Sequence, residues 1–229
     1  SNANDATNVA QIADGALGTT QDILQRMRSL VVQASNTGTQ DTDSLGAISA
    51  ELTNLNSQLD AIGQQTKFGQ TNLLDGNYKG TFQVGANGGD TITLDLTKVG
   101  GSGANTGISA SGLGLSSLNI LSSGVSASAY NDGTTGADSA SDLNAIDAAI
   151  KQVSTARASI GATQNQLSYT TANLQTAITN VTASRSNLTD ADLATEVTAM
   201  TQQQILTQAA TSVLAQANSA PQAILKLLQ

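Results

Sequence analysis

The sequence predicts a mainly α protein with a small β-hairpin region, an α+β rod of long antiparallel coiled-coil-like helices. Three observations carry that expectation. Apolar residues recur every seven over long stretches, only 2% of the 229 residues are aromatic, and an Asn-Gly-Gly turn sits between two alternating segments. With no Trp, and with Ala, Leu, Ile and Val supplying the apolar content, thin helices meeting along narrow seams are favoured over a compact globule.

The first helix is expected from about Asp5 to Ser35. Val9, Ala16, Ile23 and Leu30 form one row, and Ala10, Leu17, Leu24 and Val31 a second. Asn36, Thr37 and Gly38 break it. N-cap candidates from Asp41 to Ser44 precede Leu45, Ile48, Leu52, Leu55, Leu59 and Ile62, whose alternating spacings of three and four make an a/d seam.

Thr81 to Val84 and the alternating Ile92, Leu94 and Leu96 flank Asn87, Gly88 and Gly89, which predicts a hairpin. A phosphate cradle is a poorer account of the Gly-rich run, because it lacks the Lys and helix start that such a loop needs. Residues 100 to 140 read as Gly/Ser/Thr-rich surface loops around an apolar island at Leu113, Leu115, Leu118, Ile120 and Leu121, a candidate further strand. Their hydroxyls are also possible O-linked sugar acceptors.

The clearest pattern lies in residues 141 to 188. Ile146, Val153, Ile160, Leu167, Leu174, Val181 and Leu188 hold an unbroken seven-residue repeat, expected to be mostly intramolecular core. From Asp142 to Leu188 such a helix spans roughly 70 Å. The companion position is apolar at Leu143, Ile150 and Ile178 but polar at Arg157, Gln164, Thr171 and Arg185, which excludes a dry two-stranded coil and points to register fixing or contacts with other subunits.

Thr189 and Asp192 have capping-box spacing. A separate last helix is therefore expected over 189 to 229, through Leu193, Val197, Met200, Ile205, Val213 and Leu214, interrupted at Pro221. Its apolar surface has no obvious partner in the sequence.

Absence of Cys and His removes the usual zinc sites, cysteine nucleophiles and Ser-His-Asp triads, so no enzyme activity and no cofactor or metal is expected. The net charge of −8, with nine scattered Lys and Arg, argues against nucleic acid and anionic membranes as partners. No stretch is long and apolar enough to span a bilayer, and no leader peptide is evident. Ser1, Asn2 and Ala3 read as the remnant of a cleaved tag. Asn180-Val181-Thr182 and Asn187-Leu188-Thr189 match the N-glycosylation pattern but fall on a predicted helix and are discounted.

Several motifs together resemble the bacterial flagellins. Ala191-Asp192-Leu193-Ala194-Thr195-Glu196-Val197, Gln204-Ile205-Leu206 and Thr211 to Asn218 are similar to the family's C-terminal signature. Ala156-Arg157-Ala158-Ser159-Ile160-Gly161-Ala162 with Gln164-Asn165 resembles its C-terminal core helix. Phe82 to Asn87 resembles its hairpin, and Asn4-Asp5-Ala6 and Asp14-Gly15-Ala16-Leu17 its N-terminal region. The resemblance spans residues 4 to 99 and 140 to 229. It leaves out the middle, which in the family is variable and faces outward.

This resemblance implies a structural subunit that polymerises into an extracellular flagellar filament for motility. It also implies an N-terminal partner for the last helix, upstream of this chain. Expected partners are other copies, an export chaperone on the C-terminal helix, and the filament cap and junction proteins. Val197, Ile205, Val213 and Leu214 are the expected assembly surface. Gln25, Arg26 and Leu30 match a segment by which some members engage a Toll-like receptor, although Ser29 and Gln58 replace acidic residues usual in receptor-active members; a filament contact is the default. A hook-filament junction protein is the rival within the class. An adhesin is disfavoured by the scarcity of stacking aromatics, and an inserted metalloprotease by the lack of His.

Overall fold

The computed structural model describes residues 1–36, 39–97, 99, 107–116, 118 and 139–227, the last nine of these as backbone only. It falls into two units, Ser1–Ala172 and Asn173–Gln229.

In the first unit, α1 (Asn2–Ala34) and α2 (Thr42–Gln65) are antiparallel helices. α1 starts three residues earlier than the periodicity predicts: the Asn4 and Asp5 amides bond to Ser1 O, and Ala3 and Ala6 are buried, so the apolar stripe reaches one turn further back. It ends with Ser35 N–H and Oγ both donating to Val31 O. Of the predicted break, Thr37 and Gly38 lie outside the described residues. Asp41 caps α2, its Oδ1 accepting from Ser44 N–H at 2.8 Å.

Two antiparallel hairpins follow. β1 (Lys67–Phe68) and β2 (Thr71–Asn72) turn at Gly69, whose φ of +63° explains the glycine. This hairpin was not predicted. β3 (Lys79–Gln83) and β4 (Thr91–Asp95) pair with Phe82 opposite Ile92 and Gly80 opposite Leu94. The alternation in β4 buries Ile92 and Leu94 while Thr91 and Thr93 stay exposed.

The predicted strand at Leu113 and Leu115 is instead a helical turn. Leu115 N–H reaches back to Ala110 O at 2.7 Å and Gly114 N–H to Ser111 O at 3.2 Å, with Gly114 at φ +75°. That is a Schellman closure, which needs a left-handed residue where an extended strand has none. Ile120 and Leu121 lie outside the described residues. The turn is held to α2 and to the loop after β2 by Ala110 N–H to Asp60 Oδ1 at 2.8 Å and Ile108 N–H to Leu74 O at 2.7 Å. Gly63 on α2 permits this: a Cβ there would collide with Ile108 O.

α3 (Ser139–Leu227) is one continuous helix, which corrects the predicted break. Thr189 does not cap a new helix. Its Oγ1 donates to Arg185 O at 2.9 Å, satisfying the hydroxyl inside the helix that already contains it, and the helix also passes Pro221. The same back-bond recurs along α3 at Thr155, Thr163, Thr171, Thr179, Thr195, Thr198, Thr201 and Thr207.

The main core of the first unit joins α1, α2, the 107–115 turn and α3 through Leu17, Leu24, Met27, Leu45, Leu59, Leu115, Ile146 and Val153. A second cluster packs the β3–β4 hairpin through Ile92, Phe82 and Val84 against Ala3, Ala6 and Leu167. In the second unit every residue of α3 from Asn173 to Asn218 except Leu174 is exposed.

Candidate assembly surface

Within the first unit, α1 and α3 are joined by polar clamps as well as by the core. Arg157 Nε donates to Asp14 Oδ1 at 2.9 Å, and its Nη1 to Gln21 Oε1 at 2.9 Å. The hydrogen bond to Asp14, and then its charge, hold the Arg157 guanidinium still more firmly protonated than usual. Arg28 pairs with Asp147 at 2.8 Å. As the partner on α1 moves from 14 to 28, the partner on α3 moves back from 157 to 147, so the helices are antiparallel and in fixed register. Both clamps are part-exposed, so their worth is register more than stability.

The sequence marks Arg157 as a polar interruption of the companion seam but does not show its partners. An acidic residue on the facing stripe of α1 is the signal that would have found Asp14, given an antiparallel pairing.

The predicted seam divides. Ile146, Val153, Ile160 and Leu167 are buried and Leu174 is half-buried, but Val181 and Leu188 are 67% and 74% exposed. The repeat continues past the last packing partner among the described residues, so these two are a surface stripe and not core.

The predicted contact trio also splits. Gln25 and Arg26 are exposed, and Arg26 pairs with Glu51 of α2 at 2.7 Å. Leu30 is 2% exposed, because it lies in the same heptad row as Val9 and Ile23 and is drawn into the core. It presents no surface for a receptor or subunit contact. Ser29 and Gln58 are both exposed, and Ser29 Oγ is bonded to Arg26 O.

In the second unit Val197, Ile205, Val213 and Leu214 are all exposed, together with Ile178, Leu193, Met200 and Leu206. Val197, Thr198, Thr201, Gln202, Ile205 and Leu206 line a shallow groove of about 420 Å³ on the helix surface. Apolar side chains of this size in such density are costly to leave wet, and their burial is worth about 1.5–3 kcal/mol each. The arrangement offers hydrophobic docking for another helix. Among the described residues no cluster of carboxylates is placed to hold a metal, and no helix is long and apolar enough to cross a membrane.

The sequence profile of the bacterial flagellin N-terminal helical region matches residues 1–79, and that of the C-terminal helical region matches residues 143–228. The chain belongs to the bacterial flagellins. Flagellin of Bacillus subtilis (strain 168) is 38% identical over the whole of this chain and 79% of its own length. Flagellin of Halalkalibacterium halodurans is 38% identical over all of this chain and 76% of its own, and flagellin B of Vibrio cholerae 33% over 99% and 82%. The crystal structure of Bacillus cereus flagellin superposes with a TM-score of 0.56 at 24% identity, covering 75% of this chain and 86% of that one, and shares its fold. This flagellin is thus a structural subunit of the extracellular flagellar filament, and the junction-protein and adhesin readings are not favoured.

Proposed function

We propose that this flagellin polymerises by docking the exposed apolar side chains of α3 beyond Asn173, which are distributed around the helix, onto neighbouring helices, so that folding of this segment is completed on joining the filament. The observation that supports it is the run of exposed Val197, Ile205, Leu206, Val213 and Leu214 on a helix with no packing partner among the described residues. An unpacked helix is marginal in water, and its ordering is offset only when its apolar side chains are buried. Polymerisation before export is discouraged by the same balance.

The same face suits an export chaperone, which would cover it until the chain leaves through the flagellar secretion apparatus. At the filament ends, cap and junction proteins would meet it in turn. Gln25 and Arg26 are read as a lateral filament contact. Burial of Leu30 and the uncharged Ser29 and Gln58 leave little of the receptor-type motif on the surface.

The test uses the whole coding sequence in a motile strain that lacks its own flagellin. Ile205→Ser with Leu206→Ser should give secreted monomer in the medium but no filaments by electron microscopy and no swimming. Filaments of ordinary length from the double variant would overturn the assignment of this face.

A further inference from the structure

Asn87-Gly88 is the sequence's one Asn-Gly pair, and it lies at the exposed tip of the β3–β4 connection. Asn87 and Gly88 take the first two places of a turn closed by Asp90 N–H donating to Asn87 O at 3.0 Å. The Asn87 carboxamide is exposed, and its Nδ2 donates to Asp90 Oδ2 at 3.1 Å. Gly88 N–H has no acceptor among the described residues, and a Cβ built on Gly88 would meet nothing within 4 Å. An unbonded amide, beside a side-chain carboxamide and unshielded by any β-carbon, is a competent nucleophile.

We infer that Asn87 is a site of spontaneous deamidation. Gly88 N gives its proton to water and attacks Asn87 Cγ; the N–Cγ bond forms, Nδ2 takes a proton back from water, the Cγ–Nδ2 bond breaks, and Nδ2 leaves as ammonia. The cyclic imide then takes up one water and opens at either carbonyl, to aspartate or to β-linked isoaspartate. Nothing is oxidised or reduced, and water is the one co-reactant.

Asparagines in the interior of α1, α2 and α3 are protected, because past the first turn of a helix the following amide is committed to a carbonyl four residues back and the backbone cannot swing it onto the side chain.

The products change the turn. A carboxylate at Asn87 abolishes the Nδ2 hydrogen bond to Asp90 Oδ2 and puts a like charge in its place, which strains the remaining Asn87 N–H bond to Asp90 Oδ2 at 3.1 Å. The isoaspartyl form also adds a methylene to the backbone where Asp90 N–H and Gln83 Nε2 meet Asn87 O. Gly85 permits this close approach, since the Asp90 carboxylate lies where a Cβ of Gly85 would be.

The experiment ages the whole chain in warm, mildly alkaline buffer. Peptide mapping by mass spectrometry follows each asparagine, and a protein isoaspartate methyltransferase with labelled S-adenosylmethionine counts β-linked product. Asn87 should convert before every other asparagine, with isoaspartate among the products, and Gly88→Val should slow the conversion severalfold while leaving circular dichroism unchanged. The time course of the unaltered chain decides the matter by itself: conversion led by another asparagine, or an intact Asn87, overturns the inference. So does an unchanged rate in Gly88→Val.

Discussion

Arg157 Nε lies 2.9 Å from Asp14 Oδ1, a contact between residues 143 positions apart in the sequence. It fixes which turn of α3 faces which turn of α1, a choice that apolar seams built largely of Ala, Leu, Ile and Val leave loosely specified. Because both side chains are more than a third exposed, the pair is worth little as Coulomb energy. A double-mutant cycle with Arg157→Gln and Asp14→Asn should give a coupling of about 0.5–1 kcal/mol in urea unfolding. A coupling near zero would mean that register is set by the core alone.

Burial separates residues that the sequence treats alike. Leu17 is 0% and Leu206 56% exposed. Leu17→Ala should cost about 2–5 kcal/mol in unfolding of the monomer. Leu206→Ala should leave monomer stability within about 0.5 kcal/mol of the parent. Equal losses in the two variants would show that α3 beyond Asn173 is packed in the monomer.

The close approach of α2 to the 107–115 turn predicts the effect of one methyl group. Gly63→Ala places a Cβ against the Ile108 carbonyl, which is backbone held by its own hydrogen bond to Leu74 and has nowhere to move. Unfolding should become easier by about 1–3 kcal/mol, with faster hydrogen exchange at Ile108 and Ala110. Gly15→Ala, with open space at its Cβ position, is the matched control and should be neutral or stabilising.

Asp41 supplies an acid-side term. Hydrogen bonds from Ser44, first from its side chain and then from its backbone, hold the Asp41 carboxyl below the usual carboxylate range. A folded-state pKa below the unfolded one means that the stabilisation is complete above the unfolded value and is lost as pH falls through the folded value. Asp41→Ala should therefore lower the melting temperature at neutral pH, and its difference from the parent should shrink in strong acid. A difference independent of pH would remove the carboxylate from the account.

The helices were legible because their apolar residues repeat at the helical period over many turns. Leu30 illustrates how far that signal reaches: its place in the row with Val9 and Ile23 already marked it as core, in conflict with its reading as a contact. The β1–β2 hairpin was illegible because strands of two residues carry no pattern, and Gly69 was its one trace. At Leu113 and Leu115 a short apolar run fits strand or helical turn equally, and Gly114 decided for the turn. Past Leu167 the repeat is unchanged while the packing stops, because periodicity records which residues share a face and not whether anything covers it. The Arg157 clamp needed the pairing of two distant helices before its partners were visible.

Most threonines of α3 spend their hydroxyl protons on their own backbone, as at Thr198 and Thr201 beside Val197 and Ile205. A surface rich in hydroxyls would ordinarily resist being dried, since each donor stripped of water must find another acceptor. Here the donors keep their acceptors whatever lies alongside. An approaching helix therefore displaces water from methyl groups and from hydroxyl oxygens with spare lone pairs without orphaning these hydroxyl protons, and the threonines of this strip are dehydrated at lower cost than their number suggests.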